Sequence, residues 1–228
     1  MTTLGTAGSG PKGQGIGLGI SVSLGAGRIE ELLQPYLRGG AEIPAGIYGQ
    51  LARYLELLVK WNARTNLTAI REPAEMVRRH FGESLFAGRH LDSFGGGCVT
   101  VLDFGSGAGF PGLPMQLFRP SLKVTLAESQ NKKATFLREV VRTLGLETEV
   151  WGGRVEAMPA ERRFDLVTLR AVDDMETALN AAAARAESRL MVLSTERHGW
   201  KLPEGFEVEA MVAMVGSESQ HILVLKRQ

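Results

Sequence analysis

From residue 99 onward the chain alternates short β-branched runs with amphipathic stretches, and this alternation constrains its fold more than any other feature. The pattern predicts strands over Val99–Phe104, Lys123–Glu128, Thr148–Trp151, Phe164–Leu169 and Leu190–Ser194. A helix over Lys132–Leu144 turns Phe136, Leu137, Val140, Val141 and Leu144 to one side, and an alanine-rich helix spans Met175–Ala186. Strand and helix in succession give a parallel sheet with right-handed crossovers. Phe206–Val215 and His221–Lys226, around Gly216-Ser217, read as an antiparallel pair that closes it. The expected class is α/β, a Rossmann-like sheet with helices on both faces.

Upstream lies a different pattern. The first 27 residues hold nine glycines, a density whose backbone entropy opposes ordering without packing partners, so 1–27 reads as a flexible tail. No strand precedes the run and no Gly-Lys-Ser/Thr closes it, which argues against a phosphate loop. Helical periodicity then begins at Ile29 and stops at Gly39-Gly40. A second helix starts after Pro44, with Ile47, Leu51, Tyr54, Leu55, Leu58 and Trp61 inward, and Pro73 opens a third carrying Met76, Val77, His80 and Phe81 on one side. The expected division is a tail over 1–27, a helical region over 28–95 and a sheet domain over 96–228.

The glycine loop after the first predicted strand carries the main site signal: Asp103-Phe104-Gly105-Ser106-Gly107-Ala108-Gly109-Phe110-Pro111-Gly112. Glycines at the carboxyl edge of such a sheet let backbone approach a ligand closely. A dinucleotide fingerprint wants glycine where this chain has Phe110, and a carboxylate at Asp103 would repel a pyrophosphate. The same acid suits a ligand bearing sulfonium and ammonium groups, directly or through water. Glu128, ending the second strand, is placed to accept from ribose hydroxyls. Asp103, the alternate glycines and Glu128 together favour S-adenosylmethionine over NAD.

With the loop read, other segments become recognisable. Trp61-Asn62 followed by Asn66-Leu67-Thr68, Arg79-His80 with Glu83-Ser84-Leu85, Glu128-Ser129 with Lys132-Lys133, Arg154-Val155-Glu156 and Arg170-Ala171-Val172 stand in order around the loop and its trailing Pro111-Gly112. From about residue 47 to the C-terminus the chain resembles the glucose-inhibited division protein B family, also called RsmG. The resemblance implies a class I S-adenosylmethionine-dependent methyltransferase that modifies a guanine of 16S ribosomal RNA at N(7), with free RNA or the small ribosomal subunit as partner. It places cofactor contacts at Gly105, Phe110, Val155, Glu156 and Arg170, to which the loop reading adds Gly107 and Glu128. It also raises Arg79, His80, Lys132, Lys133 and Arg197 to candidate RNA contacts. Two departures stand out: Ser194-Thr195-Glu196-Arg197-His198-Gly199 occupies the place of the family's Lys-Gly, and Gln220-His221 that of Arg-His.

Guanine N(7) carries an available lone pair at neutral pH, so an alignment mechanism without a general base is expected, and no catalytic residue is assigned. His80, His90, His198 and His221 have no ligand spacing with acids, which argues against a metal site. A net charge of +1 announces no global affinity for polyanions. It keeps two alternatives in play: a methyltransferase for a small molecule or protein, and a non-catalytic nucleotide-binding module. Cys98 is the only cysteine, and the chain shows neither a membrane-spanning apolar run nor a signal-peptide start, so a cytoplasmic home is expected.

Overall fold

The computed structural model describes residues 24–39, 42–91, 99–172, 174–195 and 199–228. Its centre is a seven-stranded sheet: β1 (Thr100–Phe104), β2 (Lys123–Ala127), β3 (Glu149–Trp151), β4 (Phe164–Arg170), β5 (Ala186–Ser194), β6 (Phe206–Ala213) and β7 (His221–Arg227). Their order is β3-β2-β1-β4-β5-β7-β6. The first five run parallel, and β7 lies antiparallel between β5 and β6. The chain reverses direction across the sheet between β3 and β4, which puts the carboxyl ends of β1 and β4 side by side, where ligands of open α/β sheets bind.

Burial explains why the last pair inserts in that sense. His221–Leu225 is buried throughout, as a strand covered on both faces must be, whereas β6 leaves most of its residues at least partly exposed. The continuous apolar run therefore goes inside and the alternating Phe-Glu-Val-Glu segment takes the edge, with Val208 and Met211 open to solvent.

Helices α1 (Ala26–Leu37), α2 (Ile47–Thr65), α3 (Pro73–Met76) and α4 (Glu83–Arg89) form the upstream part, and a π-helical turn, Val77–Gly82, joins α3 to α4. Helix α1 starts two residues inside the stretch read as tail. Helices α5 (Gly112–Phe118) and α6 (Asn131–Leu144) follow β1 and β2, and α7 (Met175–Ala183) follows β4. Helix α5 has no counterpart in the sequence reading. It is one short stretch with Pro114 inside, buried at every residue, so it offers no polar face for periodicity to detect.

One apolar cluster runs from Ile29, Leu51 and Phe81 through Leu113 and Val124 to Phe136 and Leu144, so the upstream helices share a core with α5, α6 and that face of the sheet. Trp61 anchors this packing. Its ring meets Phe136 edge-on at 5.7 Å, and its indole N–H donates to Glu139 Oε2 at 3.0 Å. A second cluster fills the other face between the sheet and α7. The crossover from β3 to β4, residues 152–163, contains only a 3-10 turn, Val155–Ala157.

Candidate functional site

The glycine loop leaves β1 with Gly105, Gly107 and Gly109 all at positive φ. A Cβ built at Gly105 meets nothing within 4 Å, so the outer surface of the loop is open. Its inner side is closed. A Cβ at Gly112 would lie 2.9 Å from Asp103 Oδ2, and one at Gly109 would collide with the Tyr54 hydroxyl. Glycine is required where the loop meets the protein, and the open side remains free for a ligand.

Asp103 does not face that open side. It has no exposed surface; Oδ1 accepts from the Thr168 hydroxyl at 2.8 Å and Oδ2 from the Gly112 amide at 3.2 Å. Burial raises its pKa to about 6, against the lowering effect of these hydrogen bonds. Asp103 therefore pins the far end of the loop. The direct or water-mediated contact with a cationic ligand expected from sequence gives way to a structural role, because the carboxylate has no exposed surface and is bonded inward to Thr168 and Gly112. Glu128, directly after β2 and 5% exposed, holds the loop's middle: Oε2 accepts from the Gly107 amide at 3.0 Å and Oε1 from the Gln130 amide at 2.7 Å. Each oxygen retains acceptor capacity beyond one amide.

The upstream helices complete the loop's support. The Tyr54 hydroxyl donates to the Ala108 carbonyl, and its ring stacks on Phe110 at 5.4 Å and 7°. His80 stacks on the same Phe110 at 4.9 Å. His80 Nδ1 faces Arg170 Nη2 at 3.1 Å, and Nε2 lies 2.7 Å from Thr68 Oγ1. Since arginine only donates, Nδ1 accepts, and the neutral ring gives its one proton to Thr68. Burial, then the charges of Arg170 and Arg79, push the His80 pKa down to about 3. Thr68 Oγ1 also accepts from the Ile70 amide, and Asn62 Oδ1 accepts from the Thr68 amide. Both ring nitrogens of His80 are thus engaged inside the protein, which leaves none for the RNA contact read from sequence.

Arg170, the last residue of β4, is held from one side. Its Nη2 donates to the Arg79 carbonyl and to Glu83 Oε2, both at 2.7 Å, while Nη1 is buried without a hydrogen-bond partner. Glu83, almost wholly buried, also receives Arg79 Nε on Oε1 at 2.8 Å. The next residue, Ala171, adopts φ of +50°, a region costly for a residue with a Cβ. Beyond Arg170 opens a cleft of about 570 Å³ whose walls include Arg79, Glu83, Arg170, Trp200, Met214 and Gln220.

The structure thus brings Gly105, Gly107, Phe110, Glu128, Arg79, His80 and Arg170 to one edge of the sheet. Val155 and Glu156 sit in the 3-10 turn after β3, the valine buried and the glutamate exposed. Lys132 and Lys133 occupy the first turn of α6, following Glu128 on the same edge. Arg197 lies outside the described residues. Sequence reasoning gave no site role to Tyr54, Thr68, Glu83 or Thr168. Tyr54 read as core because periodicity places a ring and says nothing of its hydroxyl. Asn62, Thr68 and Glu83 stood within recognised segments, and the polar Asn62 on an inward helix face was the available signal. Among the described residues no group of three His, Cys, Asp or Glu is placed to hold a metal ion, and no helix is long and apolar enough to cross a membrane.

Residues 47–223 match the family model for rRNA small subunit methyltransferase G, known as GidB. A ribosomal RNA small subunit methyltransferase G from Nitrosomonas europaea is 35% identical over 215 residues, covering 88% of this chain and 98% of the relative. The protein of the same name from Chromobacterium violaceum is 48% identical over 126 residues, covering 55% of this chain and 58% of the relative. Among solved structures, the fold is shared with magnesium protoporphyrin IX methyltransferase from Synechocystis with bound S-adenosylmethionine, at a TM-score of 0.56 and 14% identity over 77% of this chain and 97% of that one. A methyltransferase from Aquifex aeolicus gives 0.52 at 18% identity, covering 72% of this chain and 98% of that one.

Proposed function

This chain belongs to the rRNA small subunit methyltransferase G family, and on that premise we propose how its residues divide the work. It is an S-adenosylmethionine-dependent methyltransferase acting on small-subunit ribosomal RNA, so the alternatives of a small-molecule or protein methyltransferase and of a non-catalytic module are set aside. The finer reading is transfer to N(7) of one guanine in 16S RNA, in the cytoplasm, with the free RNA or the assembled small subunit as substrate.

The observation that carries this reading is that Arg170, which lines the cleft, packs over Phe110 of the open glycine cradle, its guanidinium carbon 6.0 Å from the ring centroid. The cradle suits the cofactor: its outer side is free of side chains, and Glu128 keeps acceptor capacity for ribose hydroxyls. When bound, S-adenosylmethionine supplies a methyl group on positively charged sulfur. Gly105 and Gly107 bring backbone up to it, Phe110 walls it, and Val155 and Glu156 meet the adenine. Arg170 stands where the two ligands meet, and its Nη1, buried and unpartnered, is a donor that substrate binding would uncover for the carbonyl oxygen beside guanine N(7). Arg79, Lys132, Lys133 and Arg197 supply positive charge toward the phosphates. His80 acts from behind, holding Phe110 and Arg170.

Guanine N(7) needs no proton removed before it takes the methyl group, so the residues orient, exclude water and steady charge, and none shuttles a proton. The test is incubation with labelled S-adenosylmethionine and either 16S RNA or small subunits, with the labelled base mapped. Label on N(7) of one guanine is the expected result. Cofactor binding with label on another atom or on no RNA would refute the finer reading.

A further inference from the structure

We infer that Arg185 is a positioning residue for the adenine end of the cofactor, holding the Val155–Ala157 turn from the turn between α7 and β5 on the same face of the sheet. This inference rests on the reading that Val155 and Glu156 meet the cofactor. Arg185 lies in the tight turn between α7 and β5 and is only 7% exposed. A guanidinium taken out of water ordinarily needs a carboxylate, yet among the described residues none pairs with it. Its partners are backbone carbonyls of one segment. Nη2 donates to Val155 O at 3.2 Å and to Met158 O at 2.7 Å, and Nη1 donates to Pro159 O and, at a long 3.5 Å, to Arg162 O.

The segment needs such a partner because of what it lacks. A crossover between parallel strands usually carries a helix whose carbonyls bond within it. Here the twelve positions 152–163 hold one 3-10 turn, which bonds Met158 N to Val155 O at 3.0 Å, while a second turn bonds Arg162 N to Pro159 O at 3.1 Å. Arg185 gathers the carbonyls on either side of the first turn and ties it to the second. The side chains of Val155 and Met158 are buried in the core beneath, so the turn is fixed on its inner side. Its outer side, Glu156 and Ala157, is exposed. A rim held from within and open outward is pre-organised to grip a flat ligand edge, since its ordering cost is met before binding.

The experiment compares the wild-type chain with Arg185→Met and Arg185→Lys, measuring the Kd of S-adenosylmethionine by calorimetry and of adenosine by competition against it. Loosening one turn residue costs enough to raise both Kd values about ten-fold in Arg185→Met, equivalent to about 1.4 kcal/mol. The two ligands lose the same factor because the turn touches only the part they share. The lysine variant, which keeps a single point donor, falls between methionine and wild type and carries the test should the methionine variant fail to fold. RNA Kd and kcat at saturating cofactor stay within about two-fold of wild type, within the context-dependent scatter of single contacts. A folded variant with reduced thermal stability and unchanged cofactor Kd would overturn the inference, as would a loss confined to S-adenosylmethionine and spared for adenosine. A wild-type chain that binds neither ligand would sink the cofactor reading itself, a result distinguishable from the behaviour of the variants.

Discussion

Replacing Tyr54 with Phe removes one oxygen from the centre of the molecule and leaves its packing intact. Tyr54 is fully buried, its hydroxyl donates to the Ala108 carbonyl, and its ring keeps Phe81 at 5.1 Å, Phe110 at 5.4 Å and Phe136 at 6.4 Å. Burial, followed by the nearby Asp103 charge, raises the phenol pKa well above its ordinary value, so the proton stays available to donate. The substitution forfeits a net hydrogen bond and strands a buried carbonyl, together about 1–2 kcal/mol. In a chain of this length that lowers Tm by about 2–8 °C. Ala108 is in the middle of the glycine loop, so part of the loss also enters cofactor binding, and the Kd of S-adenosylmethionine rises about three- to ten-fold. Urea unfolding of the cofactor-free chain reads the first quantity and calorimetry the second. If stability falls while the Kd holds, the hydroxyl anchors the helix and not the loop; if neither moves, the bond contributes nothing and the loop's support from α2 is misread.

Gly112→Ala drives a methyl group to 2.9 Å from Asp103 Oδ2 and 2.8 Å from Leu126 Cδ2; it lowers stability by about 1–3 kcal/mol, and an unchanged urea midpoint would contradict the close approach. Reversing Lys132 and Lys133 to glutamate weakens RNA binding and reduces the salt dependence by about two phosphate contacts, with the cofactor Kd unaltered; equal RNA affinity at all salt concentrations would remove them from the interface. The pH dependence carries two opposed contributions. Asp103, raised from 3.8 to about 6, stabilises the fold fully below pH 3.8 and loses that contribution as pH rises through 6, whereas His80, lowered from 6.5 to about 3, stabilises above 6.5 and loses its share as pH falls toward 3. Asp103→Asn leaves the His80 contribution uncompensated, so between pH 6 and 3.8 stability falls more steeply with acid than in the wild type, by about 1.4 kcal/mol per pH unit; parallel urea-midpoint profiles would refute the assignment.

What the sequence made legible followed from periodicity and from residues with special backbone demands. Strands and amphipathic helices surfaced because each has an apolar face with its own repeat, and the loop surfaced because three glycines and a Pro-Gly have few other uses. Strand order within the closing pair was implicit in the contrast between His-Ile-Leu-Val-Leu and Phe-Glu-Val-Glu, but which run lies inside depends on what covers each face. Long-range polar partners were not legible. The hydroxyl of Tyr54 reaches Ala108 across 54 positions and Arg170 reaches Arg79 across 91, and no local pattern encodes such pairs. Asp103 was misplaced for a related reason: chemistry suggested a carboxylate facing the ligand, while its complete burial against Gly112 and Thr168 is a tertiary fact.

The two departures from the family pattern meet in space. Ser194 and Thr195 come from the end of β5 and Gln220 and His221 from the start of β7, which pairs with it, and all four line the Arg170 cleft. Among the described residues, Ser194, Thr195, Gln220 and His221 form one wall without a lysine or arginine, and the guanidinium groups lining the cleft are those of Arg79 and Arg170. Arg79 is half exposed and tied to Glu83 through Nε, so its remaining donors can turn toward a phosphate. Arg170 Nη2 is held by the Arg79 carbonyl and Glu83 Oε2, both at 2.7 Å, and lies 3.1 Å from His80 Nδ1. Its Nη1 is buried without a partner, so a base edge reaches it only when the groups covering it give way, whereas a mobile phosphate finds Arg79 first. On the proposed reading, substrate selection at this cleft depends on hydrogen bonding to the guanine, and phosphate attraction is displaced to Arg79 and the α6 lysines. Salt should then weaken RNA affinity while leaving base discrimination nearly constant, because a buried donor is screened far less than an exposed charge.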